Sequence, residues 1–522
     1  MKRTTLSLIA GTAALAAVTG FATMNSPAGS EESTARTAAQ LPVERSSRLC
    51  PAPSNSDLAD TVYTSFTPVT KGTDEQGKVR LAAADGQSPE NSTGEGGKGE
   101  GGKGEGGKGG GKAGGKTGGT SAGAPTLNPK EPGTPVADDT SGAETPALTG
   151  TATGRFAPGW TVQQTTEVAA GAGRGLLGTA CGLPDTEFWF PGASTAASRT
   201  DYVHLTNPDD SAAVVDVELY GKGGVLKSTV GDGITVKPHA SEPILLSTLT
   251  EADEKDLTVH VSVRSGRVAA AVLALDGQRG GDWLAPTTDP AARLVLPGIP
   301  KDATDVTLVA FAPGEADADL KVRLASPSGL ITPAGHEAVH LKAGMTTAVD
   351  LGDLTRGEAG SLVLTSGEGE SAVPVVAALR VLRGKSGKQE TAFVPATAPV
   401  DTRASVAGND AKGTVLSLTA LGTSATVRVT ASAGSEGGTA TTKQYTLKAG
   451  ATENVALPVP DGLKGTYALT VEHLSGGQVY ASRTLERTYE GVPAFTVQTL
   501  PDDRGTVAVP RADQDLSVLQ KR

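Results

Sequence analysis

The sequence predicts an all-β chain: tandem immunoglobulin-like β-sandwiches, three repeats of about 105 residues, after an N-terminal β-rich domain that a disordered Gly-rich insert interrupts. Three observations lead there: the composition, a period-two alternation of apolar and polar residues, and an internal repeat. Only 37% of residues are hydrophobic and 3% aromatic, against 68 Gly and 32 Pro. Short strands joined by Gly/Pro turns use such a mixture, and long buried helices do not. A length of 522 residues suits three or four domains of about 100–150 residues each.

The repeat is clearest in GITVKPHASEPILL (233–246), AVHLKAGMTTAVDL (338–351) and QYTLKAGATENVAL (444–457). Lys237, Lys342 and Lys448 correspond, and Ile244, Val349 and Val455 open the next apolar stretch of each copy. Strand-like segments before and after follow the same spacing. Alternation of period two buries one face of a strand and wets the other. About seven such segments per copy read as sandwiches at 186–290, 291–400 and 401–500, with a tail at 501–522.

Ahead of them, residues 49–185 form the N-terminal β-rich domain. Residues 88–145 within it are read as the insert, whose GEGGK units offer nothing to bury and do not offset their ordering entropy. Residues 25–48 are polar and expected to be disordered. Residues 1–24 carry Lys2 and Arg3, an uncharged run from Leu6 to Ala22, and small residues at Gly20 and Ala22. These are the parts of a secretory signal. The run also reaches the minimum length of a bilayer span, so an N-terminal anchor stays open, and membrane contact is expected through that segment alone. The richness in Ala, Gly, Val, Thr and Asp looks like a high-GC bacterial proteome.

Export gives meaning to the two cysteines. Cys50 and Cys181 read as one disulfide in an oxidising compartment, with two separate buried thiols as the alternative. The net charge of −11 argues against a nucleic-acid partner, which calls for a basic face.

Chemistry is sparse. HEAVH, from His336 through Glu337 to His340, matches the zinc-peptidase pattern, in which one helical turn brings both imidazoles to one metal. The repeat register puts it on a strand instead, with Val339 and Leu341 inward and His340 outward. On a strand, residues four apart lie about 13 Å from each other, too far to share one zinc. GGKAGGKT (110–117) matches the phosphate-loop pattern, but inside a Gly/Lys repeat without the strand and helix that motif requires. His204, His260 and His473 sit singly on strands, and the acidic clusters at 250–256 and 313–319 lack EF-hand spacing. No catalytic residue, cofactor or metal is therefore expected. EFWFPG (187–192) is the densest aromatic stretch. Phe188, Trp189 and Phe190 are core and junction residues on one reading, and a candidate interaction anchor on the other.

LCPAP with TVYTSFTP, then RGLLGTACGLPDTEFWFPGAS and DYVHLTNPDD, resemble the actinobacterial secreted proteins grouped as domain-of-unknown-function family 5719. The resemblance covers about residues 45–500 outside the insert and implies an exported, envelope-associated protein. It brings no activity, cofactor or site residue. The expected function is that of a non-enzymatic secreted or cell-envelope protein, a structural spacer and protein-interaction module. Its expected partner is an unknown envelope protein or a wall polymer. A wall-glycan-binding module around Trp189 is the alternative, and a zinc hydrolase through HEAVH a third reading.

Overall fold

The alternation written in the sequence becomes alternating burial. Along Ala213–Gly221 every second residue is buried, and Ala318–Ser326 begins in the same rhythm. The computed structural model describes residues 39–84 and 125–509, except Asp74, Thr229, Glu368, Glu370, Ser371, Ser386, Glu490 and Gly491. The 1–24 segment, the GGKAGGKT stretch and residues 88–124 of the insert lie outside the described residues. Among the described residues there are strands and two 3-10 turns but no α-helix, so this part of the chain is all-β and built from several antiparallel sheets.

The repeat register holds residue for residue. Val236, Leu341 and Leu447 are fully buried and stand opposite Ala213, Ala318 and Ala425. His340 lies outward on its strand and pairs with Asp319 across the ladder.

Two expectations at the N-terminal end are corrected. The insert, read as running to 145, ends earlier: Val136–Ser141 is a strand paired with Ala59–Phe66, and Leu127 joins Cys50, Tyr63 and Trp160 in a core. After the Gly/Lys tract the composition again supplies apolar residues, and these are buried. The polar stretch read as disordered to 48 contains Ala39–Pro42 and Arg45–Cys50 as strands. Arg45–Cys50 pairs with Leu148–Thr153, a ladder made by backbone groups that polar side chains do not prevent. Ala39–Pro42 pairs with Thr506–Val509 in a two-stranded sheet of its own.

Within Pro42–Gly505, a single compact unit, the N-terminal domain shares the layout of the repeats. Each contributes a run of four strands. In the N-terminal domain the order is Val136–Ser141, Ala59–Phe66, Thr161–Val168, Gly175–Ala180. Repeat 1 runs Ser241–Leu245, Arg199–Thr206, Ala269–Asp276, Gly280–Leu284, and repeat 2 runs Thr346–Asp350, Ala303–Phe311, Val376–Lys385, Lys388–Pro395. In repeat 3, Ala451–Asn454, Thr414–Ala431, Tyr467–Tyr489 and Val492–Thr499 follow the same order.

The final strand of each run meets those of two others. Gly175–Ala180 packs beside Gly280–Leu284, that strand beside Lys388–Pro395, that one beside Val492–Thr499, and the last returns to Gly175–Ala180. The four modules therefore close a ring. Apolar side chains seal every junction. Ala378 and Phe393 of repeat 2 enter the core of repeat 1, and Phe495 and Val497 of repeat 3 enter that of repeat 2. Leu176 packs on Leu485 and Ala494, and Leu177 on the cluster around Leu273 and Trp283.

Candidate functional site

Four groups of residues carry chemistry, and the structure places each. HEAVH does not form the helical turn its pattern requires. His336 lies in the turn after Pro333, its backbone N–H donating to the Pro333 carbonyl at 3.1 Å. His340 faces solvent on Ala338–Leu341, with Nδ1 2.8 Å from Asp319 and Nε2 3.7 Å from Asp317. Glu337 is exposed, and its carboxylate accepts the Gly335 N–H at 3.0 Å. Hydrogen bonds from its own backbone and from Gly335 hold its pKa below the usual value. Among the described residues, no three His, Cys, Asp or Glu stand together as a ligand set.

The aromatic stretch is interior. Phe190 is fully buried, and Trp189 and Phe188 keep only 6% and 7% of their surface, so the exposed-anchor reading is corrected. Alternation sends Phe188 and Phe190 into the core of repeat 1 and Trp189 outward, where repeat 2 covers it. Trp189 stacks on His260 at 3.8 Å and meets Phe311 of repeat 2 at 5.6 Å. Its indole N–H donates to Glu187 at 3.1 Å. His260 lies 3.3 Å from Glu187 and 3.0 Å from Glu218. The Thr346 hydroxyl of repeat 2 donates to the Tyr220 carbonyl at 2.6 Å. A sequence read alone gives the face of Trp189 but not what covers it.

Cys50 and Cys181 form the disulfide, bridging 131 positions with Cα atoms 4.3 Å apart. It joins the two sheets of the N-terminal domain beside the Leu49–Gly182 bridge.

The fourth group was not singled out from sequence: a polar cluster where the four final strands meet. Asp282 is fully buried, and its Oδ1 accepts from Gly178 N–H at 2.9 Å, Trp283 N–H at 2.8 Å and the Thr496 hydroxyl at 3.1 Å. The N-terminal domain, repeat 1 and repeat 3 thus share one carboxylate. Burial drives its pKa well up against those three hydrogen bonds, and Glu390 adds in the same direction. Glu390 of repeat 2, itself buried, lies 3.4 Å from Arg174. Burial lifts its pKa to about 7, with Arg174 opposing.

Glu390 also lies directly against Gly175 and Gly280, where any Cβ would collide with its carboxylate. Both glycines hold positive φ (128° and 76°), a conformation open to glycine and strained for other residues. The signal available in the sequence was GGDW, an acid behind two glycines in an otherwise apolar strand. Arg174 and Glu390 are paired with each other, and Asp282 is held through Oδ1 while its buried Oδ2 has no hydrogen-bond partner. Their chemistry is that of a joint between modules.

No curated protein matches the chain. A family model described as a family of unknown function, DUF5719, matches residues 136–458. That span starts at the strand that follows the insert and ends within repeat 3, and it is more than half of the sequence. The chain belongs to this family.

Proposed function

We propose that this chain is a non-enzymatic protein of the cell envelope or the secreted space, whose immunoglobulin-like repeats form a rigid platform for protein interaction. One observation supports this above the others: a set of buried charged groups holds modules together. Asp282, Glu390 and Arg174 join all four modules, and the buried Arg380–Asp256 pair joins repeats 1 and 2. Catalytic sites instead aim perturbed groups into an accessible cleft. A disulfide in the N-terminal domain favours an oxidising, extracytoplasmic setting. The closed ring favours a platform over an extended spacer, because a spacer gains length from modules strung in line.

The partner in this reading is an envelope protein or a wall polymer. The test is proximity labelling of the full-length chain in intact cells, alongside hydrolase assays on peptide, ester and glycan substrates. Reproducible labelling of extracytoplasmic proteins without turnover supports the platform. Turnover that survives repurification and is lost on a point substitution overturns it.

A further inference from the structure

We infer that the cleft between repeats 2 and 3 is a binding site for a short neutral saccharide. This inference stands apart from the platform reading.

The cleft lies at one of two equivalent junctions that differ at a central ladder position. In repeat 2, Thr307 stands opposite Asp350 on one side and Arg380 on the other. In repeat 3 the same ladder position belongs to Ser417, opposite Asn454 and Ser482. At the junction of repeats 1 and 2 the Arg380 guanidinium fills the gap, reaching Asp256 and the Thr307 hydroxyl. At the next junction a serine takes its place. Beside Ser417 and Asn454 there remains a cleft of about 470 Å³, within the size range of small-molecule sites.

Its lining selects a ligand class. Asp302 and Glu486 both line the cleft, and both are already paired with Arg383, at 2.5 and 2.9 Å. One guanidinium against two carboxylates leaves a single negative charge, which Lys301 in the same lining balances, so the cleft carries no net charge to draw in a cation or an anion. What the lining still offers is hydrogen bonding: carboxylate oxygens accept, while the Lys301 ammonium and the Asn454 amide N–H groups donate, the Ser417 and Thr414 hydroxyls already giving their hydrogens to Asn454 and to the Asp410 carbonyl. Val455, Leu457 and Val459 add apolar lining. A sugar ring has this combination, with hydroxyls that donate and accept around its edge and C–H groups on its face. A purely apolar ligand would leave the polar wall unsatisfied.

The experiment titrates the full chain with maltotriose, chitotriose and xylotriose by calorimetry and saturation-transfer NMR, with glucosamine and glucuronate as charged controls. Saturable binding of at least one neutral trisaccharide is expected, with both charged sugars weaker. Asn454 is exposed at the rim, so Asn454→Trp blocks the cleft without entering a core, and its unfolding midpoint serves as the folding check. It is expected to weaken binding by about tenfold or more. Three outcomes each overturn the inference: no binding of any neutral trisaccharide, binding unchanged in Asn454→Trp, or charged sugars bound as well as neutral ones. If Asn454→Trp lowers the midpoint, Thr414→Tyr is the second blocking variant and the same readings apply to it.

Discussion

Thr496 donates its hydroxyl to the carboxylate of Asp282 at 3.1 Å, although 214 positions separate them in the chain. The same carboxylate oxygen takes the Gly178 amide from the opposite end of the sequence. Asp282→Ala strands the amides of Gly178 and Trp283 and the Thr496 hydroxyl in a dry junction. A buried polar group left unpaired costs about 1–3 kcal/mol, so the loss is expected to be on the order of 3 kcal/mol, read from urea unfolding. Hydrogen exchange should rise first in Gly175–Ala180, whose amide at Gly178 loses its acceptor. Unchanged exchange there would show that the ring does not depend on this joint.

Glu390 predicts a pH dependence whose sign is set by its raised pKa. The ordinary value is 4.5 and the folded one about 7. As pH rises through this window the unfolded chain releases the proton while the folded chain retains it. Stability therefore falls as pH rises from 4.5, and the loss is complete above about 7. Glu390→Gln removes this contribution, so the variant should gain on the wild type as pH rises, with a flatter stability profile between those values. Denaturant midpoints measured across the window decide it: parallel profiles for the two proteins would refute the assignment.

Legibility in the sequence followed the range of the interaction. The repeat register was readable because Lys237, Lys342 and Lys448 mark a local pattern, and burial of Val236, Leu341 and Leu447 follows from it. The outward position of His340 was readable for the same reason. Ring closure was not, since it rests on pairs such as Thr496 with Asp282 that no local period encodes. The kinship of the N-terminal domain with the repeats was hidden by the tract that separates Ala59–Phe66 from its partner Val136–Ser141. For EFWFPG, alternation divided Trp189 from Phe188 and Phe190 correctly, yet the ring covering Trp189 comes from Phe311, over a hundred residues on.

Trp189 is accordingly a stability residue. Truncating a buried tryptophan costs about 3–5 kcal/mol, and Trp189→Ala should fall in that range. Phe311→Ala removes the other side of the same contact. Residues in contact show coupling of about 0.5–3 kcal/mol in double-mutant cycles, so the double variant should lose less than the two single losses combined. Additive losses would mean that repeats 1 and 2 are held elsewhere.

The disulfide predicts an effect of comparable size that begins in the N-terminal domain. Cys50 and Cys181 close a loop spanning 131 positions, and removing a native disulfide typically costs about 2–5 kcal/mol. Replacing both cysteines by serine should lower the denaturant midpoint, and adding reductant to the variant should change nothing more. Because the N-terminal domain closes the ring against repeats 1 and 3 through Leu177 and Leu176, its loosening should also expose the Trp283 side of repeat 1. Proteolysis near Arg174 is the readout. Protection equal to that of the wild type would place the ring's cohesion in the repeats alone.

HEAVH yields the last prediction. His336 in its turn and His340 on its strand do not share a ligand geometry, and the near neighbours of His340 are Asp317 and Asp319. An imidazole beside one or two exposed carboxylates binds zinc weakly in comparison with a site of three converging ligands. Glu337→Ala and His340→Ala should each leave the zinc content of the purified chain unchanged by elemental analysis. With exposed side chains altered, stability should shift by no more than about 0.5 kcal/mol. Stoichiometric zinc lost in both variants would require the strand at Ala338–Leu341 to rearrange into a helical turn, and the ladder with Ala318–Ser326 to break with it.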